Sequence, residues 1–497
     1  MDYAIISVWD KRGIADFCKK ISSKFKFIAS GGTYEYLKSN GIAVKKIDEI
    51  TDFPEILGGR VKTLHPKIHG GILSRRTETD NKQLEELAIK PISLVVSNLY
   101  PFTPDKPHEE AIELIDIGGP TLVRAAAKNY EHVTVVVDLD DYEQVANWIL
   151  SGISLENRLY LARKAFEHVA EYDIRIAHYF QKLQNISLPD TVLITGRKAM
   201  DLRYGENPHQ SAAYYLIPDD STGKFFEQLS GKLVSYNNML DYTVGLRILK
   251  EFKEPTAVII KHTSPCGVAN GKTLEEAFDF AFDTDNISAF GSIMAFNRKI
   301  ELPLAKKLHK MFVDGIIAPD YDEDAFKILK KKKKLMLLKY KPYALQTWEI
   351  SRVPGGFIVQ DADHRELTRD DLIFVSEKKP TEEQLRDLMW AWKIVRNVKS
   401  NAAVIATGTR TLGIAAGKSS RIDAVKFAGV KAGERARGAV LASDAFFPYP
   451  DSVQHAHELG IAAVIAPGGS IRDQLSIDAA NELGIPLVFT KIRSFRH

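Results

Sequence analysis

The sequence predicts an α/β protein with parallel sheets, on three observations. Short, near-continuously apolar runs alternate with stretches of helical character, the pattern of strands buried on both faces. That alternation begins at the N-terminus, breaks near residue 185 and then restarts. The length, 497 residues, exceeds what one hydrophobic core organises, so about two to four domains are expected.

In the first 150 residues the runs "YAIISVW", "FKFIAS", "IAVKKI", "ISLVVSNLY" and "HVTVVVD" read as strands, with helix-like segments such as "KRGIADFCKKIS" and "GGTYEYLKSNG" between them. A long helical zone, "LENRLYLARKAFEHVAEYDIRIAHYFQKL", ends near Gln184, and "QNISLPDT" reads as a linker. The main boundary is expected between residues 185 and 198, giving domains 1–190 and 191–497. Beyond it, "PTAVIIK", "GSIMAF", "DGIIAP", "GGFIVQD", "AAVIATG", "LGIAAG", "GAVLASD" and "AAVIAPG" read as short buried strands. Thr381 to Gln384, "TEEQ", matches a capping box opening the helix "LRDLMWAWKIVRNV". Lys330 to Lys334 read as the solvated C-terminal end of a helix beginning near "DEDAFKIL". No internal repeat is visible.

The composition, 45% hydrophobic and 26% charged, is that of soluble globular protein. A net charge of +3, from 67 Lys and Arg against 64 Asp and Glu, gives no support for nucleic acid or an anionic membrane as partner. "MDYAIISVWDK" has no basic leader and reads as a first strand rather than a signal peptide. No stretch approaches the roughly 20 apolar residues of a membrane helix. Two lone cysteines, Cys18 and Cys266, indicate a reducing compartment, hence the cytoplasm, and no disulfide framework.

Several motifs carry chemistry. "ASGGT" places Ser30, Gly31, Gly32 and Thr33 between a strand and a helix, a phosphate seat or a packing turn. It lacks the further glycines and the lysine of a P-loop. In "GRVKTLHPKIHGGIL", Arg60, Lys62, His65, Lys67 and His69 crowd where neither helical nor strand periodicity fits, which suits an anionic substrate or a merely basic surface loop. "SNLYPF" ends a strand with Asn98 and Tyr100, and "DIGGPTLVRAAAKN" supplies Asp116, a second Gly-Gly turn and Lys128. In "KHTSPCG", Lys261 and His262 close a strand before a Thr-Ser-Pro-Cys-Gly turn. A metal site, a nucleophile with its base and an ordinary strand end are the three readings. Zinc fails on ligand count, because Cys266 has no second Cys at the deaminase spacing; no metal is expected.

In order along the chain, "GRVKTLHP", "SNLYPF", "IDIGG", "RAAAKN", "RYGENPHQ", "KHTSPCG", "SAFG", "VKSNA", "SSRI", "SDAFFP" and "APGGSIRD" resemble the bifunctional purine biosynthesis proteins over the whole chain. These join an IMP cyclohydrolase to a 5-aminoimidazole-4-carboxamide ribonucleotide (AICAR) formyltransferase. The resemblance implies a methylglyoxal-synthase-like three-layer domain with a parallel sheet, then a larger formyltransferase region of two cytidine-deaminase-like α/β subdomains without the metal. It implies no permanently bound cofactor, with 10-formyltetrahydrofolate as co-substrate. It also implies a homodimer in which the segment of Arg203, His262 and Asp314 faces the partner's segment carrying Asn401 and Arg493.

By the same resemblance, His262 is the general base on the 5-amino group, Lys261 stabilises charge on the formyl oxygen, and Asn401 orients the amine or the formyl group. Arg203, Tyr204 and Arg493 hold the 5′-phosphate, with His209, Asn238, Gly291, Asp314, Arg421 and Phe446 on the AICAR side. Ile422, Asp451, Ser470 and Ile471 fall on the folate side. For cyclisation, Lys128 handles protons, with Lys62, Tyr100 and Asp116 around the reacting groups. Ser7, Lys11, Ser30, Gly31, Gly32, Thr33, Arg60, Thr63 and Asn98 hold the nucleotide. Trp9 stands where the family usually has a small Ser or Thr.

Overall fold

The apolar run at the N-terminus becomes β1 (Asp2–Val8), followed by β2 (Phe25–Ala29), β3 (Val44–Lys46), β4 (Ile92–Asn98) and β5 (Thr134–Val136). All neighbouring strands are parallel, in the order β3-β2-β1-β4-β5. Ala4, Ile5, Ile6, Leu94, Val95, Val96, Val135 and Val136 are buried whichever face they point to, which is why these runs are not alternating. The 29-residue helix Leu155–Leu183 is capped by Ser154, whose hydroxyl accepts the Asn157 amide at 3.1 Å.

In this computed structural model, residues 1–217, 225–342 and 347–497 are described, and the chain divides into two units, Met1–Thr195 and Gly196–His497. The second unit begins with a hairpin of β6 (Arg197–Asp201) and β7 (Ala213–Leu216). It then lays down β8 (Phe226–Ser230), β9 (Thr256–Lys261), β10 (Ser264–Asn270), β11 (Ile293–Phe296), β12 (Gly315–Ala318) and β13 (Met336–Tyr340). A second hairpin, β14 (Trp348–Val353) and β15 (Gly356–Asp361), precedes β16 (Ile373–Phe374), β17 (Ala403–Thr407), β18 (Arg410–Ala415), β19 (Val440–Ser443), β20 (Ala463–Ala466) and β21 (Leu487–Phe489). Both hairpins apart, these strands form one mixed sheet of 12, in the order β16-β21-β20-β19-β17-β18-β10-β9-β11-β12-β13-β8.

The sheet is a duplication. Each half runs edge strand, helix, antiparallel hairpin, then three helix–strand units, and the halves meet at β10 and β18, which are antiparallel. This overturns the expectation of no internal repeat and gives the two α/β subdomains. Side chains have diverged, but topology has not. One core runs across both halves, joining Val258, Ile260 and Ile293 to Val404, Val440 and Ile465. On the other face each half has its own core, around Phe278 and Phe296 in the first and around Val425 and Phe447 in the second.

Four local expectations are corrected. "GGFIVQD" is a strand, β15, but it lies in an exposed two-stranded hairpin. "GRVKTLHPKIHGGIL" contains a helix, Pro66–Leu73, with Pro at its start and the His65 ring Nδ1 accepting the Lys67 amide at 3.1 Å. Two glycines lie within it, and a Cβ on Gly71 would lie 2.4 Å from the Lys90 carbonyl oxygen, so close packing selects glycine there. In "KHTSPCG" the turn is His262–Thr263 alone; Ser264 to Gly267 belong to β10, whose register shifts between Pro265 and Gly267. The lysine run also lies mostly past its helix, Glu323–Lys330, with Lys331 as the C-cap. The "TEEQ" capping box is present, with Thr381 Oγ1 accepting the Gln384 amide at 3.2 Å and Gln384 Oε1 accepting the Thr381 amide at 2.9 Å.

Candidate active sites

In the first unit, the predicted residues gather at the C-terminal ends of β1 and β4. In this strand order that is the topological switch point, where open parallel sheets hold ligands. Ser30 occupies the N-cap position of the helix Gly31–Ser39 without bonding it, leaving the first amides open to an anion. Lys62 Nζ lies 3.4 Å from where a Gly31 Cβ would be, and Lys11 Nζ 3.8 Å from that of Gly32. The start of a second helix, Gly118–Lys128, abuts the same place, since a Gly118 Cβ would meet Thr63 Oγ1 at 2.7 Å. Two helix N-termini and two ammonium groups thus converge on one small-residue seat.

Asp116 sits beside it. One carboxylate oxygen accepts the Gly119 amide at 2.8 Å, the other faces the Tyr100 amide at 3.4 Å, and the Asp116 amide donates to Tyr172 Oη at 2.8 Å. A Cβ on Gly119 would be 2.6 Å from Asp116 Oδ2, so this residue has to be glycine for the carboxylate to fit. Burial raises the Asp116 carboxyl above the usual range, and the two amides pull it back. Asn98 Oδ1 accepts the Trp9 and Asp10 amides at 2.6 and 2.9 Å and so shapes the loop after β1. Trp9 and Tyr100 lie side by side, ring centroids 5.0 Å apart, yet remain 50% and 42% exposed.

Other predicted positions make contacts within the unit. Ser7 pairs with Ser97 within the sheet. Thr33 is buried and bonds Val8 through its hydroxyl, at 3.0 Å to the carbonyl oxygen. Arg60 is paired with Glu113. Lys128 stands apart: it is exposed and lies ten residues beyond Gly118 on the same helix, about 15 Å at 1.5 Å per residue.

In the second unit, strand directions bring most predicted residues to one edge of the sheet. The β9–β10 turn (His262), the approaches to β11 (Gly291) and β12 (Asp314), the start of β17 (Asn401) and the segments after β18 (Arg421, Ile422), β19 (Phe446, Asp451), β20 (Ser470, Ile471) and β21 (Arg493) all emerge there. They form two clusters.

Around β9, Lys261 Nζ donates to the Phe290 carbonyl oxygen at 2.9 Å, and exposed His262 and half-buried Thr263 have φ of 53° and 58°. Asp241 Oδ1 accepts the Thr263 amide at 2.6 Å, and Asp314 is paired with Lys232 at 2.7 Å. Arg203 lies over the Tyr204 ring at 4.5 Å. His209 is exposed, whereas Asn238 is buried and closes a capping box with Ser235. Cys266 is no nucleophile: burial pushes its thiol up to about 12, keeping it protonated at neutral pH. Among the described residues no three His, Cys, Asp or Glu side chains gather as a metal site.

Around β17, Asn401 Nδ2 donates to the Lys418 carbonyl oxygen at 2.9 Å, and Asn401 Oδ1 accepts from Arg421 at 2.5 Å. Arg421 is buried and paired with Asp444, which is itself 0% exposed and accepts the Ala402 amide at 2.9 Å. Arg421 therefore fixes Asn401. The Gly469 and Ser470 amides donate to Asp473 at 2.6 and 3.0 Å, beside a wholly exposed Ile471. Arg493 lies 4.6 Å over Phe495. Sequence reasoning missed Asp241, Lys232 and Asp444; only Asp444 lay within a quoted motif, with nothing there to mark its burial.

Known proteins match both units. An MGS-like domain matches residues 13–121, and the AICARFT/IMPCHase bienzyme family matches residues 126–431. The bifunctional purine biosynthesis protein PurH of Thermoanaerobacter sp. (strain X514) is 47% identical, covering 99% of both chains. Its namesakes from Caldicellulosiruptor saccharolyticus and Acetivibrio thermocellus are 48% and 46% identical, again over 99% of both chains. The chain belongs to this family, the bifunctional AICAR formyltransferases and IMP cyclohydrolases that carry out the last two steps of IMP synthesis.

Proposed function

We propose that the second unit transfers the formyl group of 10-formyltetrahydrofolate to AICAR and that the first unit closes the product to IMP, in the cytoplasm. In the first reaction the 5-amino nitrogen attacks the formyl carbon and the bond to folate N10 breaks. His262 takes the amine proton, Lys261 stabilises the formyl oxygen and Asn401 orients the reactants. Arg203, Tyr204 and Arg493 bind the 5′-phosphate. Phe446 and Arg421 line the AICAR side, and Ile422, Asp451, Ser470 and Ile471 the folate side. In the second reaction the carboxamide nitrogen attacks the formyl carbon and water leaves. Both groups are on one molecule, so orientation supplies much of the rate, and the Gly31, Lys62 and Asp116 cluster provides it. Lys128 reaches that cluster from a second copy of the chain, given its distance along its own helix.

The observation that carries the formyltransferase reading is how its residues are spread along one sheet edge. His262 and Asn401 are three strand spacings apart, about 14 Å at 4.8 Å each, while Asp314 and Arg493 are eight apart, about 38 Å. One nucleotide cannot touch all four in one chain. A two-fold dimer that faces the β9 edge of one copy with the β17 edge of the other brings them together twice.

Complementation tests this. His262→Ala and Asn401→Ala chains, each nearly inactive, are co-expressed. In a mixed dimer one site carries both lesions and the other neither, and random assembly makes half the dimers mixed. Formyl transfer then recovers to roughly a quarter of wild type. Verified mixed dimers without recovery place both residues in a single-chain site.

Trp9 offers a direct reading of nucleotide binding in the first unit. Its exposed indole beside Tyr100 borders the crevice, so IMP quenches its emission by stacking on it. The difference disappears in Trp9→Phe, which removes one of five tryptophans and keeps an aromatic ring. An identical change in wild type and variant removes Trp9 from the site.

A further inference from the structure

The duplicated sheet repeats more than its strand order. In each half the helix before the hairpin has 14 residues, Tyr236–Leu249 and Glu382–Val395, and each opens with a capping box, Ser235 with Asn238 and Thr381 with Gln384. The sixth residue of each helix is an aspartate, Asp241 and Asp387. Each carboxylate accepts an amide of the following two-residue hairpin turn: Thr263 at 2.6 Å in the first half, Gly408 at 2.7 Å in the second. A helix-borne carboxylate anchoring the turn is therefore built into the subdomain.

What differs is what sits in the turn. In the second half the left-handed position, φ 56°, is Gly408, where glycine is unstrained. In the first half both positions are left-handed and held by His262 and Thr263. A β-branched threonine at φ 58° is a strained choice, of the kind that persists only where its surroundings enforce it. Asp241 is the enforcing group: it is buried, and it bonds the amide of the strained residue itself. Burial raises its carboxyl, with the Thr263 amide as the leading opposing influence.

We infer that Asp241 is a positioning residue for formyl transfer, anchoring the left-handed turn that presents His262, and that the Gly408 turn is its catalytically silent copy. This rests on the reading of His262 as the base. It is the hydrogen-bond acceptor, not the negative charge, that the turn requires.

Five variants of the full-length protein test it, one of them a control. Asp241→Ala lowers kcat for formyl transfer by about 10²-fold, the scale of a misplaced catalytic group, with KM for AICAR little changed and cyclisation of supplied formyl-AICAR intact. Asp241→Asn keeps an oxygen for the Thr263 amide and keeps most of the rate. Adding Thr263→Gly to Asp241→Ala removes the strain that needed anchoring and restores part of the loss. In a His262→Ala background, Asp241→Ala costs nothing further, because its effect passes through His262. Asp387→Ala is the control: it loosens the silent turn and leaves kcat at wild-type level.

Wild-type kcat in Asp241→Ala, or an equal further loss in the His262→Ala background, overturns the inference while leaving His262 as base. A full-rate His262→Ala overturns the base reading itself. Should Asp241→Ala fail to fold, Asp241→Asn decides: a folded but slow Asp241→Asn means that charge, rather than anchoring, is what the site needs, and the inference fails.

Discussion

Replacing His262 by alanine lowers formyl transfer by about 10²- to 10⁴-fold, the range lost with a positioned general base. The side chain is exposed at a turn and touches no core, so the fold loses nothing with it. Cyclisation of supplied formyl-AICAR continues at the wild-type rate, because the residues proposed for it lie in the other unit. The comparison of both rates in one preparation is the check. Equal losses in both reactions mean general misfolding and take the base role away from His262.

Replacing Asp444 by alanine lowers the stability of the second unit by about 3–5 kcal/mol, the scale for removing one partner of a buried ion pair. Arg421 would keep its charge with 5% of its side chain exposed and would lose its carboxylate, and the Ala402 amide would lose its acceptor. Ser400, next to Asn401, would lose the acceptor of its hydroxyl proton while keeping its bonds to the Arg496 backbone. Formyl transfer falls as well, since Asn401 is held by Arg421. The denaturant midpoint reads the stability, with the slope unchanged. A shift worth under about 1 kcal/mol contradicts the pair's structural role.

How much of this was legible follows from where the information lies. Strands such as β1, β4 and β9 carry unbroken apolar runs at their centres because both their faces are covered, so they announce themselves in sequence. Short or separate strands do not: β16 has two residues, and β6 and β7 form a short hairpin outside the sheet, with charges at both ends of β6. The helix Pro66–Leu73 was hidden by two glycines, and what selects glycine at 71, the Lys90 backbone, lies elsewhere in the chain. The lysine–histidine pair was visible as a pair, and family resemblance supplied its role. Asp241 and Asp444 act on groups 22 and 23 residues away, and neither spacing carries a local signature. The repeat does leave a trace, Ser-x-x-Asn-x-x-Asp at 235–241 against Thr-x-x-Gln-x-x-Asp at 381–387, but only the second box was read as a helix start. Lys128 illustrates the converse: its motif is unmistakable, yet its side chain is exposed ten residues beyond Gly118 on the same helix.

The central claim is that this one chain turns AICAR into IMP through two separate sites. The most direct measurement supplies purified protein with AICAR and 10-formyltetrahydrofolate and follows both folate and nucleotide. The account predicts one IMP for each formyl group released from folate by the wild-type protein. His262→Ala should make almost none from AICAR yet convert supplied formyl-AICAR fully. Formyl-AICAR accumulating with wild type, or folate left unconsumed beside AICAR, would contradict it.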